Sequence, residues 1–146
     1  MDKVITDARE IPTAKDDGGA ALIPDEVARF VIASIDSVAE IEALLLLRNS
    51  APQHWNIASL ARRLYIDDRQ TGETLKRLTA KGLLIESGGA ETTYSYAPVS
   101  LELREIIDRL AEVYATRLVP VTNLIHSKAK TRVQQFADAF RVRKED

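Results

Sequence analysis

The side chains that most often carry catalysis or bind metal ions are scarce in this sequence. The chain contains no Cys, and its only histidines are His54 and His126. Neither histidine has a partner at a metal-ligand spacing, so we expect both to be exposed or hydrogen-bonded surface residues. The sequence also lacks a Gly-rich phosphate loop, a Ser-x-Gly turn and a histidine beside a nucleophile. It therefore predicts a protein that is not an enzyme and that requires no cofactor or metal ion.

Positively charged side chains offer the more informative chemistry, because they bind phosphates and acidic partners. The chain carries 20 Lys and Arg against 22 Asp and Glu, but the two kinds are unevenly distributed. Residues 1–36 hold four basic and eight acidic groups, whereas residues 117–144 hold seven basic groups and one acidic group. The basic tail either contacts an acidic partner or flanking DNA, or is a solvated helix end. Its members are Lys128, Lys130, Arg132, Arg141, Arg143 and Lys144.

Length and composition favour one compact domain with at most an appended arm. The chain has 146 residues, of which 45% are hydrophobic and 29% charged, as in an ordinary soluble protein. No stretch approaches the roughly 18 apolar residues of a membrane helix, and the start does not resemble a signal peptide. We therefore expect a cytoplasmic protein without a membrane partner. Residues 1–22 show no apolar period and predict a flexible acidic arm.

Apolar periodicity predicts helices through the first half of the chain. A short helix from Pro24 to Ile35 precedes a central buried helix. Asp36 or Ser37 can cap this second helix, and Ser37-Val38-Ala39-Glu40 matches a capping box. A short amphipathic helix over residues 57–65 follows, and then a helix that Asp67 or Asp68 caps and Gly82 ends.

The pattern becomes strand-like after Gly82. Leu83-Leu84-Ile85 and residues 92–96 predict two strands, and the polar segment between them predicts a hairpin tip. A long helix begins near Ser100, and its apolar pattern continues to residue 140. We expect Pro120 to kink or interrupt this helix.

The helices and the hairpin together carry a recognisable pattern of apolar and basic residues. Its members are Ile57, Leu60, Ala61, Leu64, Ile66, Leu75-Lys76-Arg77-Leu78 and Lys81-Gly82-Leu83-Leu84. Over residues 37–99 the chain resembles the winged helix-turn-helix domain of bacterial transcription regulators, and the MarR-type group is closest in layout. The resemblance implies a mainly α-helical fold in which residues 23–99 form the winged domain with a small β-hairpin wing. A long C-terminal helical segment, residues 100–146, follows it.

The resemblance also implies that the protein binds double-stranded DNA and regulates transcription. The helix over residues 68–82 would enter the major groove, where Arg69, Gln70, Glu73 and Thr74 would reach base edges. Further basic residues would contact phosphates, namely Arg48, Arg62, Arg63, Lys76, Arg77 and Lys81. About six to ten phosphate contacts are common for a tight site, and a homodimer doubles the number of candidate cations. A monomer with a near-neutral domain and an acidic wing would bind poorly at physiological salt, so DNA binding requires the dimer. We expect residues 101–140 to pair across a two-fold axis, the alternative being that they fold back onto their own subunit.

Two features depart from the pattern of the family. Glu73 stands where relatives commonly carry a basic or hydroxyl side chain, and a carboxylate is repelled by phosphate unless it accepts from a cytosine amine. Residues 86–93 contain two Glu and no Lys or Arg, although MarR-type wings usually present an Arg. These departures favour the alternative function, a winged-helix adaptor that binds another protein instead of DNA.

Aromatic residues near the hairpin have two interpretations each. Trp55 either lines a small-molecule pocket or packs on the core. Tyr94 and Tyr96 lie two apart on a strand, so they share a face that either stacks on a base or covers the sheet.

Overall fold

The computed structural model describes residues 22–145, with side chains up to residue 139. The helices in this range are α1 (Asp25–Ser34), α2 (Val38–Asn49), α3 (Ile57–Leu64), α4 (Asp68–Ala80), α5 (Leu101–Thr116) and α6 (Leu118–Glu145). The strands are β1 (Leu84–Ser87) and β2 (Thr93–Tyr96). This confirms the expectation of a mainly helical fold with a small hairpin. The predicted arm, residues 1–22, lies outside the described residues except for Leu22.

The chain divides into two compact units. One is Ser37–Ala111 and contains α2, α3, α4, the hairpin and most of α5. The other ends at Asp36 and resumes at Glu112, so that it contains α1 and α6. The sequence analysis places a boundary between residues 99 and 100, whereas these units meet after Asp36 and after Ala111. Helical periodicity does not indicate which helices contact each other.

Side-chain caps fix where the helices of the unit Ser37–Ala111 begin. The Glu40 amide donates to Ser37 Oγ at 3.2 Å, as the capping box predicts. Asp67 caps α4 in the same way, accepting from the Gln70 amide at 2.7 Å. The apolar faces of these helices enclose a core whose largest fully buried aliphatic members include Ile41, Leu44, Leu47, Leu60, Leu75, Leu78 and Leu83.

The hairpin follows α4 through a glycine in the left-handed region. Gly82 has a φ of 80°, which an L side chain adopts only with strain. The strands pair antiparallel, with Leu84 opposite Tyr96. Tyr94 also exchanges two backbone hydrogen bonds of 2.8 Å with Trp55, which adds a short third segment beside β2. The loop after α2 is thereby joined to the hairpin.

A lysine joins the two helices of the other unit. Lys128 Nζ donates to the carbonyls of Val31 and Ile35 at 3.2 and 2.7 Å, and its side chain is only 8% exposed. Lys128 therefore places a positive charge at the C-terminal end of α1, where the Val31 carbonyl also accepts from the Ile35 amide at 2.9 Å. Asp36 accepts from both Lys128 and Arg132 at 3.0 Å.

The long C-terminal helix is interrupted at Arg117, three residues before Pro120, where the interruption is predicted. Helix α5 ends at Thr116 and α6 begins at Leu118, so Pro120 lies in the first turn of α6. A proline is tolerated there because the first amides of a helix have no carbonyl partner. No helix among residues 22–145 has both the length and the apolar character needed to cross a membrane.

Candidate nucleic-acid interface

Two short helices meet at a tight turn in the unit Ser37–Ala111. Helix α3 begins at its Asn56 cap, where the Ser59 amide donates to Asn56 Oδ1 at 2.8 Å. It ends at Leu64, and the next residue, Tyr65, has a φ of 60° that turns the chain sharply before Asp67 caps α4. This left-handed conformation is uncommon for a residue with a side chain. The turn fixes α3 relative to α4 and presents the second helix on the surface of the unit.

Helix α4 has one buried and one exposed face. Its core side contains Thr71, Gly72, Thr74, Leu75 and Leu78. Its exposed side contains Arg69, Gln70, Glu73, Lys76 and Arg77. The sequence analysis predicts DNA contacts for Arg69, Gln70, Glu73, Thr74 and Lys76 on this helix. All of these except Thr74 lie on the exposed face.

Thr74 is the exception, because it does not lie on that surface. Its exposed fraction is 1%, and its hydroxyl has no hydrogen-bond partner among the described residues. The expected contact of Thr74 with a base edge is therefore not available in this structure. Helical spacing explains the burial, since Thr74 follows Thr71 by three residues and precedes Leu78 by four.

The exposed cations near the turn come from both helices. Arg62 and Arg63 are exposed in the last turn of α3, and Lys76 is exposed on α4. Arg69 is 87% exposed, with its Nε 3.6 Å from Glu73 Oε2. Such an exposed pair four residues apart stabilises a helix only slightly, so Arg69 can exchange Glu73 for another anion at little cost.

Three other predicted phosphate contacts are held in ion pairs. Arg77 Nε donates to Glu40 Oε2 at 2.8 Å, and Lys81 Nζ donates to Glu40 Oε1 at 3.1 Å. Arg48 Nε donates to Asp108 Oδ1 at 3.0 Å. These side chains are 48%, 25% and 28% exposed, respectively, so they are less accessible than Arg69.

Sequence reasoning missed two of the residues that shape this surface. Glu40 is fully buried although it carries a charge, and it links α2 to the C-terminal end of α4. The available signal was a glutamate within a helix that is apolar nearly all round. Tyr65 is 93% exposed at the turn, beside an open cleft of about 540 Å³ that Arg63 and Gln70 also line. The sequence feature that could have indicated Tyr65 is an aromatic residue at the end of an amphipathic helix.

The hairpin tip carries acids, as the sequence indicates. Glu86 and Glu91 are exposed, and Glu91 Oε2 accepts from Asn56 Nδ2 at 3.1 Å. The hairpin tip therefore presents negative charge to the surroundings.

The aromatic residues beside the hairpin serve packing. Tyr94 is 1% exposed, so the stacking interpretation is not available to it. Burial, followed by the charge of Glu86 and a hydrogen bond to it, raises the pKa of Tyr94. Trp55 Nε1 donates to Ser50 Oγ at 3.0 Å, and the Arg104 guanidinium lies 5.4 Å from the centre of the Tyr96 ring. These contacts match the structural alternative for Trp55 and Tyr94.

The basic tail is only partly accessible. Lys128 is buried against α1, so it is not the solvated or DNA-facing cation that the sequence suggests. Arg132 pairs with Asp36 but remains 58% exposed. Lys130 is exposed. The side chains of Arg141, Arg143 and Lys144 lie outside the described part of the chain.

Both histidines lie on the surface of the described part of the chain. His54 is exposed, with Nδ1 3.3 Å from Thr93 Oγ1, and His126 is exposed on α6. Among the residues that the structure describes, no group of three or more His, Cys, Asp or Glu is arranged to hold a metal ion.

Comparisons with known proteins add little to this description. No protein-family model matches the chain, and no curated protein matches it either. Among solved structures, the chain is similar to RV1404 from Mycobacterium tuberculosis, with a TM-score of 0.43 and 18% sequence identity. The similarity covers 92% of this chain and 82% of that chain. A similarity of this size carries no argument about function, which depends on the residues themselves.

Proposed function

We propose that this protein is a transcriptional regulator that binds duplex DNA as a homodimer. In this proposal residues 37–99 form a winged helix-turn-helix of MarR-like layout, and α4 enters the major groove. Arg69 and Gln70 read base edges, Arg62 and Arg63 hold the backbone, and Lys76 and Arg77 contact phosphates.

The observation that carries the proposal is the exposed face of α4. It presents Arg69, Gln70 and Lys76 on one exposed side together with Glu73, while the opposite face anchors the helix in the core. Arginine pairs with guanine and glutamine with adenine through two hydrogen bonds each, so the face has the donors and acceptors needed for base readout. The adjacent Arg62 and Arg63 add positive charge on α3, where the DNA backbone passes in this mode of binding.

A second copy of the chain is needed for tight binding at physiological salt. One protomer offers only the few accessible cations described above, and two protomers together reach the six to ten phosphate contacts that are typical of tight sites. The candidate pairing surface is α6, on which Val133 and Phe136 are 68% and 74% exposed and lie three residues apart. Exposed apolar residues on one helical face are typical of dimer contacts.

The experiment that tests the proposal is a charge reversal with a matched control. Arg69→Glu should weaken binding of the protein to fragmented genomic DNA in a fluorescence anisotropy titration at low salt. Arg29→Glu makes the same charge change at an exposed position on α1, and it should alter binding much less. Equal affinities of the Arg69→Glu variant and the unmodified protein would refute the assigned role of α4.

The second candidate function is a protein-binding adaptor. It is favoured by the acidic hairpin tip and by the ion pair between Arg69 and Glu73. An adaptor would not bind DNA with a steep salt dependence. It would instead retain a stoichiometric protein partner in a pull-down, and that partner would be lost when Glu86 and Glu91 are replaced by Gln.

A further inference from the structure

A buried carboxylate lies behind the C-terminal end of α4. Glu40 is in the first turn of α2 and is 0% exposed. Its two oxygens accept from Arg77, on α4, and from Lys81, the residue that follows α4. Arg77 Nε is 2.8 Å from one oxygen and Lys81 Nζ is 3.1 Å from the other. A buried carboxylate is costly unless charged donors satisfy both oxygens, and this arrangement supplies them.

The two cations differ in what they can still reach. Lys81 is 25% exposed, whereas Arg77 is 48% exposed and uses its Nε toward Glu40. A guanidinium has five N–H groups, so Arg77 can donate to Glu40 and to an external oxygen at the same time. The contact with Glu40 also restricts the rotation of a long side chain, which reduces the entropy lost when that side chain binds.

We propose that Glu40 is a positioning residue for DNA binding, which fixes Arg77 toward a phosphate and offsets one of the two positive charges on Arg77 and Lys81. The inference rests on the proposed function. As a consequence, the C-terminal end of α4 presents to DNA one net positive charge, with Arg77 held in place, and not two charges on freely rotating side chains. Nonspecific attraction to DNA is lower than a count of Lys and Arg predicts.

The test compares two substitutions at Glu40 by their salt dependence. Glu40→Gln keeps the volume of the side chain and removes the charge, whereas Glu40→Asp keeps the charge. Because the slope of log K against log salt is about −0.9 per phosphate neutralised, Glu40→Gln should steepen the slope by about 0.9 per protomer. Glu40→Asp should retain the slope of the unmodified protein. A purely structural role would instead lower the affinity of both variants without steepening either slope, and that result would overturn the proposal.

A variant that spares the buried position guards against misfolding. Lys81→Gln removes the less exposed cation and leaves Arg77 paired with Glu40, so it should change the slope by much less than about 0.9 per protomer. A slope that is shallower by about 0.9 per protomer would show that Lys81 neutralises a phosphate of its own and would overturn the charge offset.

A measurement without DNA separates this inference from the proposed function. The Arg77 Nε–H resonance should exchange slowly with solvent at neutral pH in the unmodified protein and rapidly in Glu40→Gln, with the exposed Arg69 as the fast reference. Rapid exchange in the unmodified protein would overturn the positioning. Slow exchange combined with no DNA binding would refute the proposed function, and with it the role of Glu40 in DNA binding, while leaving the ion pair intact.

Discussion

Under the proposed function, replacement of Glu73 by Gln is expected to tighten DNA binding. The Glu73 side chain is 53% exposed on the same face of α4 as Arg69, and the two side chains approach to 3.6 Å. Removing this carboxylate frees Arg69 and removes a negative charge beside the phosphates. Each additional neutralised phosphate contributes about 0.9 log units at 0.1 M salt, so the affinity should rise by up to about eightfold per protomer. The loss of an exposed helical ion pair should cost no more than about 0.5 kcal/mol of stability.

The assay is a fluorescence anisotropy titration of a labelled duplex at several salt concentrations. Glu102→Gln is the control, because it makes the same charge change at an exposed position on α5. Similar gains for both variants would reveal a general effect of net charge and would contradict the placement of Glu73 at the interface. Weaker binding by Glu73→Gln would show that the carboxylate accepts a hydrogen bond from a base, contrary to the repulsion argued above.

Two further predictions concern the hairpin that flanks α4. Gly82→Ala should lower the free energy of unfolding by about 1 to 2 kcal/mol in urea, because φ is positive there and the new Cβ would lie 3.0 Å from a Val99 methyl. Gly88→Ala, whose Cβ would meet no atom within 4 Å, should change it by less than about 0.5 kcal/mol, and equal effects would refute the strain at Gly82. Because burial and Glu86 raise the pKa of Tyr94, the folded protein holds the phenol proton above the unfolded pKa of about 10, so stability should fall as the pH rises past that value. Tyr94→Phe should flatten this fall in urea unfolding between about pH 9 and 12, and parallel curves would contradict it.

The elements of the fold were predictable where local chemistry determines them. Ser37 and Asp67 are good cap residues, and each caps the helix that it precedes. The hairpin follows Gly82 because only a glycine adopts its conformation without strain. The backbone bridge between Trp55 and Tyr94 was not predictable, since 39 residues of sequence separate the two and no local pattern marks the pairing.

The candidate site was predictable in its exposed cations but not in their partners. The base contact expected of Thr74 was wrong, because Thr74 lies three residues from Thr71 and shares its buried face of α4. The pairing of Glu40 with Arg77 required the packing of α2 against α4, and the capping motif assigned Glu40 a different role. Long-range ion pairs of this kind decide how much of the positive charge near α4 remains accessible.

The most direct test of the proposed function is the salt dependence of binding to duplex DNA by the full chain, measured together with its oligomeric state. A dimer that contacts six to ten phosphates should show a slope of log K against log salt between about −5 and −9. Flat or absent binding by a protein that is folded and dimeric would contradict DNA binding and would favour the adaptor.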